Sequence, residues 1–234
     1  MIKHPFTSLR LAAAAAAVVG LLAVSVGPVA ADTTPGGDAS YSQNGKTAEL
    51  YAGSCTDNGN DTFTCLEQDV SIFSGKMTDS ISGVSHSSQV CASVGTYTVD
   101  ATTGDYLGDP VYEYGCRVDL ASSAIRFGSK LSSASLAATH VTIEQWVCND
   151  EKECVPGASR DVVVAATWTG FGPISSGRYR SSGHDGTCRY SEWFKGSDRE
   201  ADATATFDGQ TVSGDTYADL SSGRYGFKSA CTEA

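Results

Sequence analysis

The chain answers to itself at an offset of about a hundred residues, and that echo limits the folds open to it more than any single motif does. Asp119-Leu120-Ala121-Ser122-Ser123, then Phe127, returns 100 positions later as Asp219-Leu220-Ser221-Ser222-Gly223, then Phe227. Asp69-Val70-Ser71-Ile72 answers to Asp161-Val162-Val163-Val164 at 92, Cys55 to Cys148 at 93 and Cys91 to Cys188 at 97. A drift from 92 to 100 is what a duplicated unit with a few loop insertions leaves behind. Solenoid repeats run to about 20–50 residues, so each copy here is domain-sized. The expected copies are residues 47–133 and 134–234.

The ends place the chain. Residues 1–31 read as an export signal: Lys3 and Arg10 give a positive start, Leu11 to Val26 an apolar core, Gly27-Pro28 a break, and Val29-Ala30-Ala31 small residues for cleavage. The apolar core is too short to span a bilayer, and no later stretch is apolar enough, so the expected mature protein is secreted with no membrane span. Residues 32–46, rich in Gly, Ser, Asp and Thr without apolar periodicity, read as a flexible tether.

The full chain carries a formal net charge of −11. Removing the signal takes away two basic residues and no acidic ones, leaving 14 − 27 = −13. Such a surface repels phosphate backbones and argues against nucleic acid as a partner, while it favours solubility outside the cell.

All eight cysteines follow the signal, at 55, 65, 91, 116, 148, 154, 188 and 231. An even count in an exported chain reads as a disulfide framework. Cys55 with Cys65 and Cys148 with Cys154 each flank a short polar turn, as hairpin clamps do. Cys91 with Cys116 and Cys188 with Cys231 are the simplest remaining pairs within the copies; a Cys91–Cys188 cross-link is the alternative.

Between the cysteines the dominant period is two. Tyr112, Tyr114, Cys116, Val118 and Leu120 alternate with Glu113, Gly115, Arg117 and Asp119; Val162, Val164, Ala166 and Trp168 follow the same rule. Ala201, Ala203, Ala205 and Phe207 run into Asp208-Gly209, a strong two-residue hairpin signal. No helix stands out after the signal. The expected fold is all-β: two closely packed antiparallel units of β-sandwich type, stapled by disulfides.

Function is less legible. One stretch of this acidic chain is basic and aromatic: Arg178, Tyr179, Arg180, His184, Arg189, Tyr190, Trp193, Phe194, Lys195 and Arg199, with no counterpart around Cys91 in the first copy. On a hairpin turning near Gly183 to Gly186, Arg178 and Arg180 share one side of their strand, and Arg189 and Trp193 one side of the next. Arg and aromatic side chains anchor interfaces, and the guanidinium fork suits carboxylates and sulfates. Arg178, Arg180, His184, Arg189 and Trp193 are therefore the expected binding residues. The simpler alternative is that the aromatic side chains pack the core while the arginines cover a wet face.

The catalytic patterns fit less well. His184-Asp185-Gly186-Thr187-Cys188-Arg189 resembles, over those six residues, the cysteine signature of the L,D-transpeptidases, which implies a thiolate nucleophile. It departs from that family in setting the His four positions before the Cys rather than two, and the upstream His-Gly element is absent. Glu49 with Asp69, and Glu144 with Asp161, are acid pairs that can face across strands, though neither sits in an apolar run that would lift a pKa. His86, His140 and His184 are too dispersed for a metal triad. The oxygen-rich Asp57, Asn58, Asn60 and Asp61 lack the calcium-loop spacing, and Asn58-Gly59 is more simply a tight turn. No catalytic residue, cofactor or metal is assigned. The expected protein is a secreted binding module for an extracellular protein, polysaccharide or cell-wall component; the alternatives are a secreted hydrolase or acyl transferase, or a structural envelope protein.

Overall fold

The computed structural model describes residues 39–80, 85–148, 154–185, 188–212 and 214–231. The expected export signal lies outside them. Among the described residues eleven strands follow one another: β1 Ala39–Asp57, β2 Thr62–Asp79, β3 Ser85–Asp100, β4 Val111–Val118, β5 Ile125–Phe127, β6 Ser133–Cys148, β7 Cys154–Gly170, β8 Ser175–Asp185, β9 Cys188–Phe207, β10 Gln210–Thr211 and β11 Asp215–Cys231. Every pairing is antiparallel. Among the described residues no helix is long and apolar enough to cross a membrane.

The strands form one sheet, and the sheet closes. β1 pairs with β2, β2 with β3, β3 with β4, β4 with β6, β6 with β7, β7 with β9, β9 with β11, and β11 returns to β1. Opposite walls face each other across a shared interior, a sandwich-like packing reached by closing one sheet rather than stacking two. Closure also removes the unpaired edges an open sheet would present. Residues 47–133 and 134–234 each supply four ring strands in chain order.

Period two decides what goes inside. Ala48 and Leu50 on β1, Val70 and Ile72 on β2, Val141 and Ile143 on β6, and Val162, Val164 and Ala166 on β7 form one buried cluster with Ala205, Phe207 and Leu220. Their odd or even partners face out, as the pleat requires. Trp168 fills the centre. It is 1% exposed, and its indole Nε1 donates to the carbonyl of Glu49 at 2.8 Å, so the second half is bolted to the first through the core. Asp208 and Gly209, at φ 50° and 79°, make the expected two-residue turn between β9 and β10.

The disulfides sit at directly opposed positions. Cys55 bonds Cys65 across the β1–β2 hairpin, and Cys91 bonds Cys116 across β3–β4. Cys188, itself disulfide-bonded, lies opposite Cys231, and the backbone of Cys148 lies opposite Cys154.

One expectation needs correcting. Residues 39–46, read as part of a tether, form the first half of β1, paired to β11 on one side and β2 on the other. Their side chains carry no apolar periodicity because this half of the strand lies beyond the core. Ladder hydrogen bonds hold it in place.

Candidate binding face

Four of the ring strands outrun the barrel. β1, β2, β9 and β11, joined by β8 and by the first residues of β3, continue past the core as an open sheet. A transverse row of glycines marks where it begins. Gly177, Gly196, Gly223, Gly45 and Gly75 are successive cross-strand partners on β8, β9, β11, β1 and β2. A Cβ on Gly75 would stand 2.2 Å from the carbonyl oxygen of Asn44, and one on Gly45 2.4 Å from that of Ser74. The row lets the backbones approach where the sheet leaves the closed barrel.

On the face continuous with the barrel interior, the side chains change character at this row. Below it, Lys46 donates to the Gly128 carbonyl at 3.3 Å and stands over the Phe127 ring. Arg199 donates to the carbonyls of Phe171 and Gly172 at 3.2 and 3.1 Å. These two cations help close the mouth. Above the row the cations have no such work. Arg178 lies opposite Lys195, Arg180 opposite Trp193, and His184 opposite Arg189. Alternation puts all six, including the five expected binding residues, on one face of the hairpin. Among the described residues the only ion pairs are His86–Asp119, Arg160–Glu113 and Arg160–Asp208, so none of these cations has a carboxylate partner.

Trp193 is not a core residue. A Cβ on Gly226, its partner on β11, would meet the indole at 2.5 Å, so the ring lies over the glycine backbone. A groove of about 530 Å³ is lined by Arg178, Tyr179, Arg180, Trp193, Phe194 and Lys195. Tyr179 and Phe194, opposed to each other, belong by register to the other face, where Tyr225 donates to Glu192 at 2.9 Å. Tyr179 and Tyr190 are exposed, so neither packs the core. Arg224, outside the basic stretch of the sequence, continues the row from Lys195 on β11. It lies too far along the chain for local periodicity to reveal.

A second cluster lies on the outer wall of the barrel. Glu49 is directly opposite Asp219 and diagonal to Asp69, while Tyr51 lies between Tyr217 and Asp69. Burial is the main cause that raises all three acids. Glu49 stands well above its usual value, with Asp219 and Asp69 adding repulsion; Asp69 is pushed to about 7 and Asp219 to about 6. This corrects the expectation that no acid pair sits where its pKa would rise: the cover comes from neighbouring strands, not from an apolar run along the chain. Glu144 does not face Asp161, which lies opposite Thr142 and accepts its hydroxyl at 2.6 Å.

The other candidates resolve structurally. Cys91 and Cys188 are in disulfides, so neither offers the thiolate of an acyl transferase. Asp57 accepts from the amide of Gly59 at 2.7 Å and Asn60 from the Thr62 hydroxyl at 2.7 Å, bonds that build the turn. His86 Nδ1 bonds Asp119 at 2.9 Å and ties β3 to the chain after β4. No family model matches the chain, and no curated protein or solved structure is significantly similar to it.

Proposed function

We propose that this protein is a secreted, disulfide-stabilised binding module that takes an anionic extracellular ligand on the Arg/Trp face of β8 and β9. One observation carries the reading. In a chain of net charge −11, Arg178, Arg180, Arg189 and Lys195 share a face with Trp193 and have no carboxylate partner among the described residues. Adjacent like charges on neighbouring strands are unfavourable in the free protein, and an anion across them relieves that repulsion. The indole adds a flat apolar surface beside the guanidinium forks. On this reading residues 47–133 and 134–234 are diverged copies, and the second acquired the face. In support, each supplies four ring strands in the same pairing order, and the Cys55–Cys65 hairpin has its counterpart where Cys148 lies opposite Cys154.

The test is retention of the mature protein on immobilised heparin at neutral pH and low salt. An acidic protein without a segregated basic face flows through. Retention is expected, and its loss in the Arg178→Ser/Arg180→Ser double variant, with the melting temperature unchanged, places binding on the hairpin. Flow-through of the unaltered protein sinks the proposal.

A second reading, a two-carboxylate hydrolase on the barrel wall, draws on Asp69, which at about 7 exchanges its proton near neutrality. It requires turnover of some glycoside in a chromogenic panel that disappears in Asp69→Asn while the fold is kept.

A further inference from the structure

The basic face does not end with the β8–β9 hairpin. Arg178 on β8 and Lys195 on β9 are the first two members of a row that continues, partner by partner, through Arg224 on β11 and Asn44 on β1 to Lys76 on β2. The register is unbroken along these pairings, so all five side chains point to one face. The next row outward on that face is Arg180, Trp193, Gly226, Ser42 and Thr78. Beyond it Ser191 lies opposite Lys228. Arg178, Lys195, Arg224 and Lys76 are all exposed, and none has an ion-pair or hydrogen-bond partner among the described residues. The described acids of the same strands lie on the opposite face: Glu192 accepts from Tyr225 there and Asp198 from Ser175.

We infer that this face is a track for a linear acidic polysaccharide, carboxylated or sulfated, lying across the strands from β8 to β2. The inference rests on the binding-module reading and extends it in footprint and ligand class. Four strand spacings of about 4.8 Å each make the row roughly 19 Å long, so a small anion meets one or two cations and leaves the others uncompensated. A chain bearing regular charges meets them in succession. The Trp193 indole, held against Gly226 beside the row, offers a flat apolar surface on which a sugar ring stacks through its C–H face. The same fittings would hold single-stranded nucleic acid through base stacking. Such binding sets aromatic side chains under successive bases, and among the described residues this face presents a single indole, which favours the glycan. Gly226 also has a role in this reading: any side chain there would lift the indole off the sheet.

Binding of the mature chain to size-fractionated heparin and polygalacturonate oligosaccharides, at several salt concentrations, tests this. Oligo-dT of matched length serves as the competing class. Affinity is expected to rise with oligosaccharide length and level off once the row is spanned. Arg224→Ser and Lys76→Ser, both off the hairpin, are each expected to weaken binding and to make the salt dependence shallower by roughly one counterion. Trp193→Ala is expected to weaken binding while leaving the salt slope intact. Wild-type binding by Arg224→Ser and Lys76→Ser, with binding lost in Arg178→Ser/Arg180→Ser, overturns the track and leaves the hairpin reading standing. Full binding by all of these variants overturns both. Tighter binding of oligo-dT than of either glycan overturns the ligand class. Each replaced cation is exposed and unpaired among the described residues, so unchanged circular dichroism is the folding control.

Discussion

β1, β2, β9 and β11 each run through two different environments, and the contrast shows what a period-two sequence does and does not specify. Inside the barrel the inward positions are Ala48 and Leu50, Val70 and Ile72, Ala201 and Ala205, Ala218 and Leu220, all buried. Past the glycine row the same alternation places Asn44 and Ser42, Lys76 and Thr78, Lys195 and Trp193, Arg224 and Lys228 on the continuation of that face. Ladder hydrogen bonds persist through both regions. The core cluster lies in the lower region, where hydrophobic burial is greatest; the extension rests on cross-strand bonds, on contacts of its opposite face such as buried Met77 and the Tyr41–Tyr225 ring pair, and on the Cys188 disulfide. A strand therefore needs a good partner more than an apolar face.

The comparison breaks most severely at Trp168. Replacing it with Ala opens a cavity at the centre of the barrel and leaves the carbonyl of Glu49 without its indole donor. A loss of about 3–5 kcal/mol is expected in urea unfolding. A loss under about 1 kcal/mol would show that the two halves are not coupled through this side chain.

The glycine row gives the next largest effect, with its own control. Gly75→Val places a branched side chain against the Asn44 carbonyl, where even a Cβ stands at 2.2 Å; a loss of about 1–3 kcal/mol or outright misfolding is expected. Gly177→Val, in the same row on β8, meets nothing within 4 Å and should be neutral or slightly stabilising. Equal effects at the two positions would mean that the row does not mark a close approach of strands.

These two sites also show what the sequence displays and what it hides. Strand character was legible from alternation, and the Asp208-Gly209 turn from its dipeptide. The Cys55–Cys65 clamp is legible from its short polar turn, whereas Cys91–Cys116 is only the simplest of the pairings open to Cys91, and the structure selects it over a cross-link to Cys188. All of these are local, or link strands adjacent in the chain. The first half of β1 looked like a tether because Ser40, Ser42 and Asn44 have no core to face, and nothing local reveals that β11 and β2 pair on either side. The glycine row was invisible for the same reason: its five members spread from Gly45 to Gly223 and meet only through register. Most of the candidate face lies inside one basic stretch and can be read directly. Arg224 and Lys76 join it only through β11 and β1.

The outer wall sharpens the contrast through pH. Glu49, Asp69 and Asp219 have folded-state pKa values above their unfolded ones, so the fold prefers them protonated. Their stabilising contribution is complete below the unfolded values near 4 and is lost as pH rises through about 6 to 7. Asp119 and Asp100 are lowered, by hydrogen bonds from His86 and from the Thr103 amide respectively; their contribution fades only as pH falls below the ordinary carboxylate range. Asp69 and Asp219 titrate between pH 8 and 5. Stability should rise by on the order of 1 kcal/mol or more toward pH 5, and Asp69→Asn should flatten that profile. A stability curve that falls over this window contradicts the assignment.

The smallest effect belongs to the extension. Arg178, Arg180 and Arg224 are exposed, and each lacks an acid partner among the described residues, so no stabilising contact is lost when they are replaced. Removing positive charge from one crowded face relieves repulsion instead. The triple Ser variant should unfold within about 0.5 kcal/mol of the parent, and on the stable side if the repulsion is felt. The effect should shrink in high salt, because screening already suppresses it. A clear destabilisation would mean that these side chains hold the extension together, and that the face is structural rather than reserved for a ligand. Unchanged folding combined with lost polyanion binding is the outcome that separates the two regions: the core below carries the stability, and the cations above are spent on something outside the chain.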